Sequence, residues 1–205
     1  MKRAQPLAVG GVALALLMLS TSGLSAEWQV KPFIGATYGG DSTFLIAGPL
    51  TPPPFPNHPH FAYGVSGLLI GEIFGVEADF SHTPSFFQAD TAPLVVESGV
   101  YVLTGNVVVA MPRRLTQYTL RPYLVGGAGL MHVSFGTAGN ALPVSEQLQA
   151  MDLGAGVTGF VTRRVGVSWD VRYFRSIERT IESGVSLGPE RLSFWRASMA
   201  VAVRI

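Results

Sequence analysis

The chain of 205 residues contains no cysteine. Neither a disulfide framework nor a thiolate metal site is therefore available to it. Charged residues are also scarce, at 13% of the chain, against roughly 25% in an ordinary soluble domain. The 14 basic and 13 acidic residues nearly cancel, which argues against a nucleic-acid partner, because such a partner requires a basic patch or stripe.

Long hydrophobic runs are almost absent too. One apolar run, residues 7–19, follows Lys2 and Arg3 and leads into the small residues of "STSGLSA". This order is typical of a secretory signal peptide, and the run is too short to be a membrane-spanning helix. We place cleavage after Ala26, so that 1–26 is the signal peptide and 27–205 forms one exported domain.

Within the exported domain, no stretch reads as a spanning helix. The longest apolar candidate, 94–111, is interrupted by Glu97, Ser98 and Asn106. A secreted chain with few charges and no helical span can still enter a bilayer as a closed β-barrel. Segments rich in Val, Tyr, Phe and Gly recur at about the length of a tilted transmembrane strand. Their predicted ranges are 28–38, 61–70, 74–81, 98–110, 118–134, 151–161, 165–176 and 191–205.

The predicted connections between these strands alternate strictly in length. Long connections at 39–60, 82–97, 135–150 and 177–190 take turns with short ones at 71–73, 111–117 and 162–164. An up-and-down barrel with both termini in the periplasm has long loops at the cell surface and short turns on the other side. The fold class predicted from this rhythm is all-β, an eight-stranded antiparallel up-and-down transmembrane β-barrel preceded by a cleaved signal peptide.

Side chains alternate in character along single strands, as in "VGVSWDVRYF" (165–174). A period of two places Trp169 and Tyr173 on one face of the strand and Asp170 and Arg172 on the other. The polar parity repeatedly mixes charged with very small residues, which suits the cramped interior of a small barrel. We therefore expect the apolar face to meet lipid. The alternative, a soluble exported barrel that binds an apolar ligand, would need the opposite face inward.

Aromatic residues tend to fall near the ends of the predicted strands. Two girdles at the bilayer interfaces would place them there, although ordinary core packing is an alternative for any one of them. These residues are Trp28, Tyr38, Phe61, Phe80, Tyr123, Trp169, Tyr173 and Trp195.

Two of these strands resemble those of a known family. "RPYLVGGAGL" (121–130) and "VGVSWDVRYF" (165–174) are similar to the fifth and seventh strands of OmpA-like and opacity-protein-like outer-membrane β-barrels. The resemblance implies a monomeric eight-stranded barrel, mostly plugged by side chains, in a Gram-negative outer membrane. Its implied partners are outer-membrane lipids and the outer-membrane assembly machinery. Such barrels usually end in an aromatic residue, whereas this chain ends in Ile205.

The polar parity of several strands carries ionisable or amide side chains that we expect to meet in the barrel lumen. Unpaired charges in so narrow a space would be costly, so we predict a paired, hydrogen-bonded network. The same residues could instead line a narrow pore for ions or small solutes. The predicted luminal residues are Lys31, Glu77, Asp79, Asn106, Asp170, Arg172, Arg196 and Arg204, with Thr104 among them.

The long loops are where recognition is expected, because the barrel would hold them rigidly. Loop 39–60 places Phe44, Leu45, Ile46 and Phe55 among prolines, and loop 82–97 adds Phe86 and Phe87. We therefore predict a membrane anchor that presents four loops for adhesion, to an extracellular ligand or a host surface. We predict no enzymatic activity and no cofactor.

Two constellations leave other chemistry open. His132 and Ser134, with Glu146 beyond the next loop, have the residue types of nucleophilic catalysis. They faintly resemble the His-x-Ser-Asn motif of outer-membrane lipid A deacylases, but Phe135 replaces the Asn. No catalytic residue is assigned to this chain.

Histidines near the predicted strand ends could bind a metal, and arginines there could contact lipid headgroups. His58, His60 and His82 could meet at the outer rim and bind a metal, although their spacing matches no ligand motif, and no metal site is assigned. We expect the arginines of the short turns to lie near periplasmic headgroups. These are Arg113, Arg114, Arg163 and Arg164.

Overall fold

The computed structural model describes residues 26–39, 59–86, 95–116, 120–137, 144–177 and 192–205. For 95–97, 135–137 and 144–146 it describes the backbone alone. The predicted signal peptide falls almost entirely outside these ranges and stays a prediction. Among the described residues, no helix is long and apolar enough to cross a membrane.

Eight strands form one closed antiparallel barrel, in which each strand pairs with the next and β1 pairs with β8. The predicted eight-stranded antiparallel barrel is thereby confirmed. A short 3-10 helix, Arg113–Leu115, interrupts the β4–β5 connection. The strands are β1 Glu27–Tyr38, β2 His60–Ile70, β3 Phe74–Pro84, β4 Val95–Ala110, β5 Leu120–Thr137, β6 Val144–Phe160, β7 Val165–Ile177 and β8 Ser193–Arg204.

The barrel has two different ends. Connections 71–73, 111–119 and 161–164 lie at one end together with Glu27 and Arg204, and we call it the turn end. The strand ends that flank the other four connections lie at the opposite end, which we call the loop end.

One predicted loop is wrong. The pairing of β5 with β6 continues to Phe135↔Val144, so 135–150 is largely strand. The remaining connection, 138–143, is shorter than 111–119, and the strict alternation of lengths does not hold. The physical reason is that ladder hydrogen bonds join backbones whatever the side chains are. A polar sequence such as "SEQLQ" (145–149) can therefore form a strand, although its composition does not indicate one.

The two faces of the barrel wall confirm the predicted parity. Trp169 and Leu153 are 57% and 69% exposed on the outer face, whereas Arg172 on the inner face is 1% exposed. Apolar side chains thus cover the outside and charges lie within, the reverse of a soluble barrel. This is the surface that a closed barrel presents to lipid.

Most of the predicted girdle residues lie on the outer face. Trp28, Tyr38, Phe61, Phe80 and Trp195 are exposed there.

Tyr123 is the exception, and its prediction as a girdle residue is wrong. It is buried in the interior, because the odd-numbered residues of β5 face inward. Gly156 makes room for its ring: a Cβ there would lie 2.5 Å from the Tyr123 hydroxyl oxygen.

Close strand approach yields a prediction at Gly129. A Cβ at this inward-facing position would collide with the carbonyl oxygen of Leu103 and lie 2.6 Å from Thr104 Cα. We expect Gly129→Ala to lower the free energy of unfolding by about 1–3 kcal/mol, as overpacking usually does. Urea unfolding of the refolded barrel, followed by tryptophan fluorescence, measures this. The control is Gly105→Ala, where a Cβ has no atom within 4 Å; equal losses in both variants would contradict the steric explanation.

Candidate functional site

The centre of the barrel holds seven charged side chains from five strands. Three are cations and four are carboxylates, and most of them are fully buried. They are Lys31 of β1, Glu77 and Asp79 of β3, Asp152 of β6, Asp170 and Arg172 of β7, and Arg196 of β8. We call this set, together with Asn106 of β4, the luminal network.

Arg172 lies at the middle of the luminal network. Its Nη1 donates to Glu77 Oε1 at 2.7 Å, and its Nε and Nη2 donate to the two oxygens of Asp170 at 3.3 Å each. Nη1 also lies 3.7 Å from Asp79 Oδ2 and 3.8 Å from Asp152 Oδ2. A single guanidinium is therefore surrounded by all four carboxylates, which is the geometry its planar set of donors suits.

Arg196 forms the second centre, directly across the strand pair from Arg172. It binds Asp79 in a bidentate manner, with Nη1–Oδ1 and Nη2–Oδ2 distances of 2.9 and 3.0 Å. Its guanidinium also lies 4.5 Å from the ring centroid of Phe33 and 4.9 Å from that of Phe174. Bidentate pairing and aromatic contact both favour arginine over lysine here.

Lys31 completes the pairing of Glu77, because Nζ donates to Oε2 at 2.7 Å. Two hydroxyl groups complete Asp170, from Ser198 at 2.9 Å and from Tyr123 at 3.2 Å. Glu77 and Asp170 thus each accept hydrogen bonds on both oxygens, as buried carboxylates require.

Asn106 bridges the acidic and basic sides. With its amide oriented to satisfy both ends, it donates to Asp152 Oδ1 at 2.8 Å and accepts from Arg172 Nη1 at 3.1 Å. Asp152 Oδ2 has no hydrogen-bond donor among the described residues.

Glycines on the inner face create the space for these long side chains. Gly154 lies across from Arg172, and a Cβ there would lie 2.7 Å from Arg172 Cγ. Gly127 lies between Asn106 and Asp152, and a Cβ there would lie 2.7 Å from Asn106 Cα. Small residues of β5 and β6 therefore complement large residues of β4 and β7.

Apolar layers lie above and below the luminal network. Toward the loop end, a buried cluster includes Phe86, Met131, Phe174 and Phe194, with Phe194 5.1 and 5.2 Å from the other two rings. Toward the turn end, a second cluster contains Leu68, Ile70, Val108, Ala110, Tyr123 and Val125.

Arg204 differs from its prediction, because it does not reach the luminal network. It lies in the last residue pairs of β8, at the turn end, where it and Arg113 both pair with Glu27. Arg121 of β5 lies at the same end and donates to the carbonyls of Gly71, Glu72 and Met111. These contacts tie the turns to the barrel wall.

The structure places the other predicted members, Lys31, Glu77, Asp79, Asn106, Asp170, Arg172 and Arg196, in one cluster. Thr104 is also buried on this face.

Sequence reasoning missed Asp152 and the inward role of Tyr123. The signal for Asp152 was present, since it shares the inward parity of β6 with Ala150 and Thr158.

The strand register does not bring the three residues of the catalytic constellation into one row. The ring of His132 lies beside that of Tyr101 of β4, 6.3 Å away, and Ser134 Oγ donates to the Gly99 carbonyl at 3.4 Å. Both residues have the outward parity of β5. Glu146 is paired with Val133, which belongs to the inner apolar cluster, so the register does not place it in the row of His132 and Ser134.

The two described histidines of the possible outer rim are not brought together on one face. His82 lies on the outer face, 3.0 Å from the Tyr63 hydroxyl and stacked on Tyr101. His60 has the inward parity of β2 and contacts the buried Phe86 ring, and His58 lies outside the described residues. Among the residues described, no group of three or more potential ligands could hold a metal ion.

Several solved structures share this fold. Neisserial surface protein A from Neisseria matches with a TM-score of 0.63 and 16% identity, covering 90% of this chain and 100% of that one. OprG from Pseudomonas aeruginosa matches with a TM-score of 0.55 and 11% identity, covering 89% and 97%. Outer Membrane Protein W of E. coli matches with a TM-score of 0.50 and 15% identity, covering 88% and 98%.

At these identities the shared property is the fold: the chain is an eight-stranded β-barrel of the type found in bacterial outer-membrane proteins. The resemblance to OmpA-like and opacity-protein-like barrels is confirmed at that level. No protein-family model matches the chain, and no curated protein sequence matches it.

The luminal network predicts a strong effect of Arg172→Met. This change keeps most of the volume but leaves Glu77 and Asp170 buried without their shared cation, which typically costs about 3–5 kcal/mol. The urea midpoint of the refolded barrel should fall accordingly. Arg175→Met, three residues along β7 on the exposed face, is the matched control. A midpoint for Arg172→Met equal to that of the control would show that the ion pairs do not hold the barrel together.

Proposed function

We propose that this chain is an integral protein of a Gram-negative outer membrane, with a plugged lumen, that acts as a rigid scaffold for four surface loops. The observation that carries the proposal is the layered interior: paired charges at the centre, with an apolar layer on each side. Side chains fill the lumen, so no space for a ligand or solute remains inside the barrel. Partners can then bind only at the two ends or on the outer face.

The layers argue against a pore. Eight strands enclose a space just wide enough for side chains, and Arg172, Arg196 and Phe174 fill it as large, fully buried groups. An apolar constriction opposes the entry of water and ions. The cations at the centre are ion-paired with carboxylates. These ion pairs would have to separate before a solute could pass.

The loop end supports a presenting role. The β3–β4 connection begins with Ser85, whose positive φ of 57° turns the chain and whose N–H donates to the Ser98 carbonyl at 2.7 Å. The next residue, Phe86, is buried against Phe194. The β7–β8 connection ends at Leu192, which exchanges two hydrogen bonds with Ser176. Both connections are therefore fixed to the wall where they leave or join it.

Conductance tests the plug. We expect the refolded full chain, its folding verified by shifted gel migration of an unboiled sample, to give no current steps in a planar bilayer. The reason is that an ion must pass both apolar layers, and the paired charges between them, to cross the barrel. Reproducible steps from folded protein, altered by Arg196→Met and unaltered by Arg175→Met, would overturn the plugged-lumen proposal and favour a narrow pore.

Loop exchange tests the presenting role. We propose an extracellular ligand or a host surface as the partner, and bacteria displaying the chain should bind cultured cells more than bacteria without it. Replacing 40–58 with a short Gly-Ser linker should reduce that binding and leave the barrel folded, because the segment lies between paired strands. Replacement of 138–143, the shortest surface connection, is the control. Unchanged binding after exchange of all four loops would contradict the proposal.

A further inference from the structure

A notch interrupts the outer apolar face near the turn end. Gly159 of β6 lies between Leu120 of β5 and Val167 of β7 in the pairing register. Because the glycine has no side chain, its neighbours form the walls of a groove of about 260 Å³. Val157 and Trp169 continue the groove along the wall.

The space above Gly159 is narrow, but the side chain that limits it can move. A Cβ at Gly159 would lie 2.9 Å from Leu120 Cδ2, the far end of a flexible side chain. A larger residue could therefore occupy the groove without forcing the strands apart. The walls are aliphatic and aromatic, so the groove suits a hydrocarbon chain.

Two exposed arginines lie in the turn that adjoins the groove. Arg163 and Arg164 lie in the turn 161–164 that joins β6 to β7, beside Val161, which is 83% exposed and also lines the groove. Arg204 holds this turn, because its backbone N–H and its Nη1 donate to the carbonyls of Arg164 and Arg163 at 2.8 and 3.3 Å.

The arginines of this turn have no acidic neighbours in the sequence. Residues 156–168 contain no acidic side chain, and among the described residues neither Arg163 nor Arg164 forms an ion pair. The other arginine-bearing turn differs: Arg113 pairs with Glu27, and its backbone N–H donates to Glu72. In the turn 161–164, two exposed arginines therefore adjoin an apolar groove.

We propose that this groove binds one anionic phospholipid, with an acyl chain along Gly159 and the phosphate on Arg163 and Arg164. Guanidinium groups bind phosphate through paired, charge-assisted hydrogen bonds, and the groove supplies apolar contact for the chain. The inference rests on the proposed insertion in an outer membrane with the turn end in the periplasm, where the adjoining leaflet consists of phospholipid.

Native mass spectrometry of the folded full chain tests this site. The probes are phosphatidylglycerol and phosphatidylcholine with identical acyl chains, offered in equal amounts. We expect preferential retention of one phosphatidylglycerol. The double variant Arg163→Ala/Arg164→Ala should lower that retention about tenfold or more, whereas Arg175→Ala, at an exposed arginine near the loop end of β7, should not change it.

A second variant tests the contact with the acyl chain separately from the contact with the phosphate. Gly159→Val should fill the groove and lower retention of both lipids, while its gel migration reports that the barrel still folds. Equal retention of the two lipids by the unaltered chain, or full retention of phosphatidylglycerol by the double arginine variant, would overturn the inference. Failure of the chain to insert into vesicles at all would instead overturn the proposed membrane function, so the two failures are distinguishable.

Discussion

The cost of removing seven charged side chains from water inside a closed barrel is the constraint on which the rest of the structure depends. A buried carboxylate or guanidinium without a partner costs several kcal/mol. All of these charged groups therefore need partners within the same small space. Arg172 meets this requirement by facing four carboxylates. Gly127 and Gly154 leave room for the network, and apolar layers enclose it on both sides.

The proposed membrane insertion accounts for such an interior. A barrel in a bilayer cannot expose polar groups to lipid, so its polar side chains are confined to the lumen. Trp169 and Leu153 cover the outside, and no hydrophobic force draws them inward as in water. Cohesion of the interior then depends on ion pairs and on close packing of side chains against glycine.

Alternation along strands made the faces predictable from the sequence, and with them most of the luminal network. A period of two assigns Glu77, Arg172 and Arg196 to the interior without any knowledge of register. The position of each inward-facing residue along the barrel axis could not be predicted, because it depends on the strand register. Arg204 shares the inward parity of Arg196, yet it lies at the turn end and pairs with Glu27.

Other misses have separate physical causes. Tyr123 was assigned by its aromatic character, although the parity of β5 places it inside, where Gly156 accommodates its ring. The extension of β5 and β6 was hidden, because backbone pairing beyond the membrane does not need apolar residues. Asp152 has the inward parity of β6, but only the register shows that it lies beside Arg172.

The ion pairs across the lumen have a consequence for assembly. Glu77 and Arg172 are 95 positions apart, and Asp79 and Arg196 are 117 apart, on strands from opposite parts of the ring. A partly formed sheet lacks these contacts, so Glu77 and Asp79 would remain without their arginines on the side that later becomes the interior. These two carboxylates thus meet their arginines only when the ring closes, which makes half-closed intermediates unfavourable. Closure in a shifted register would separate the same pairs, so the network also selects one seam between β1 and β8.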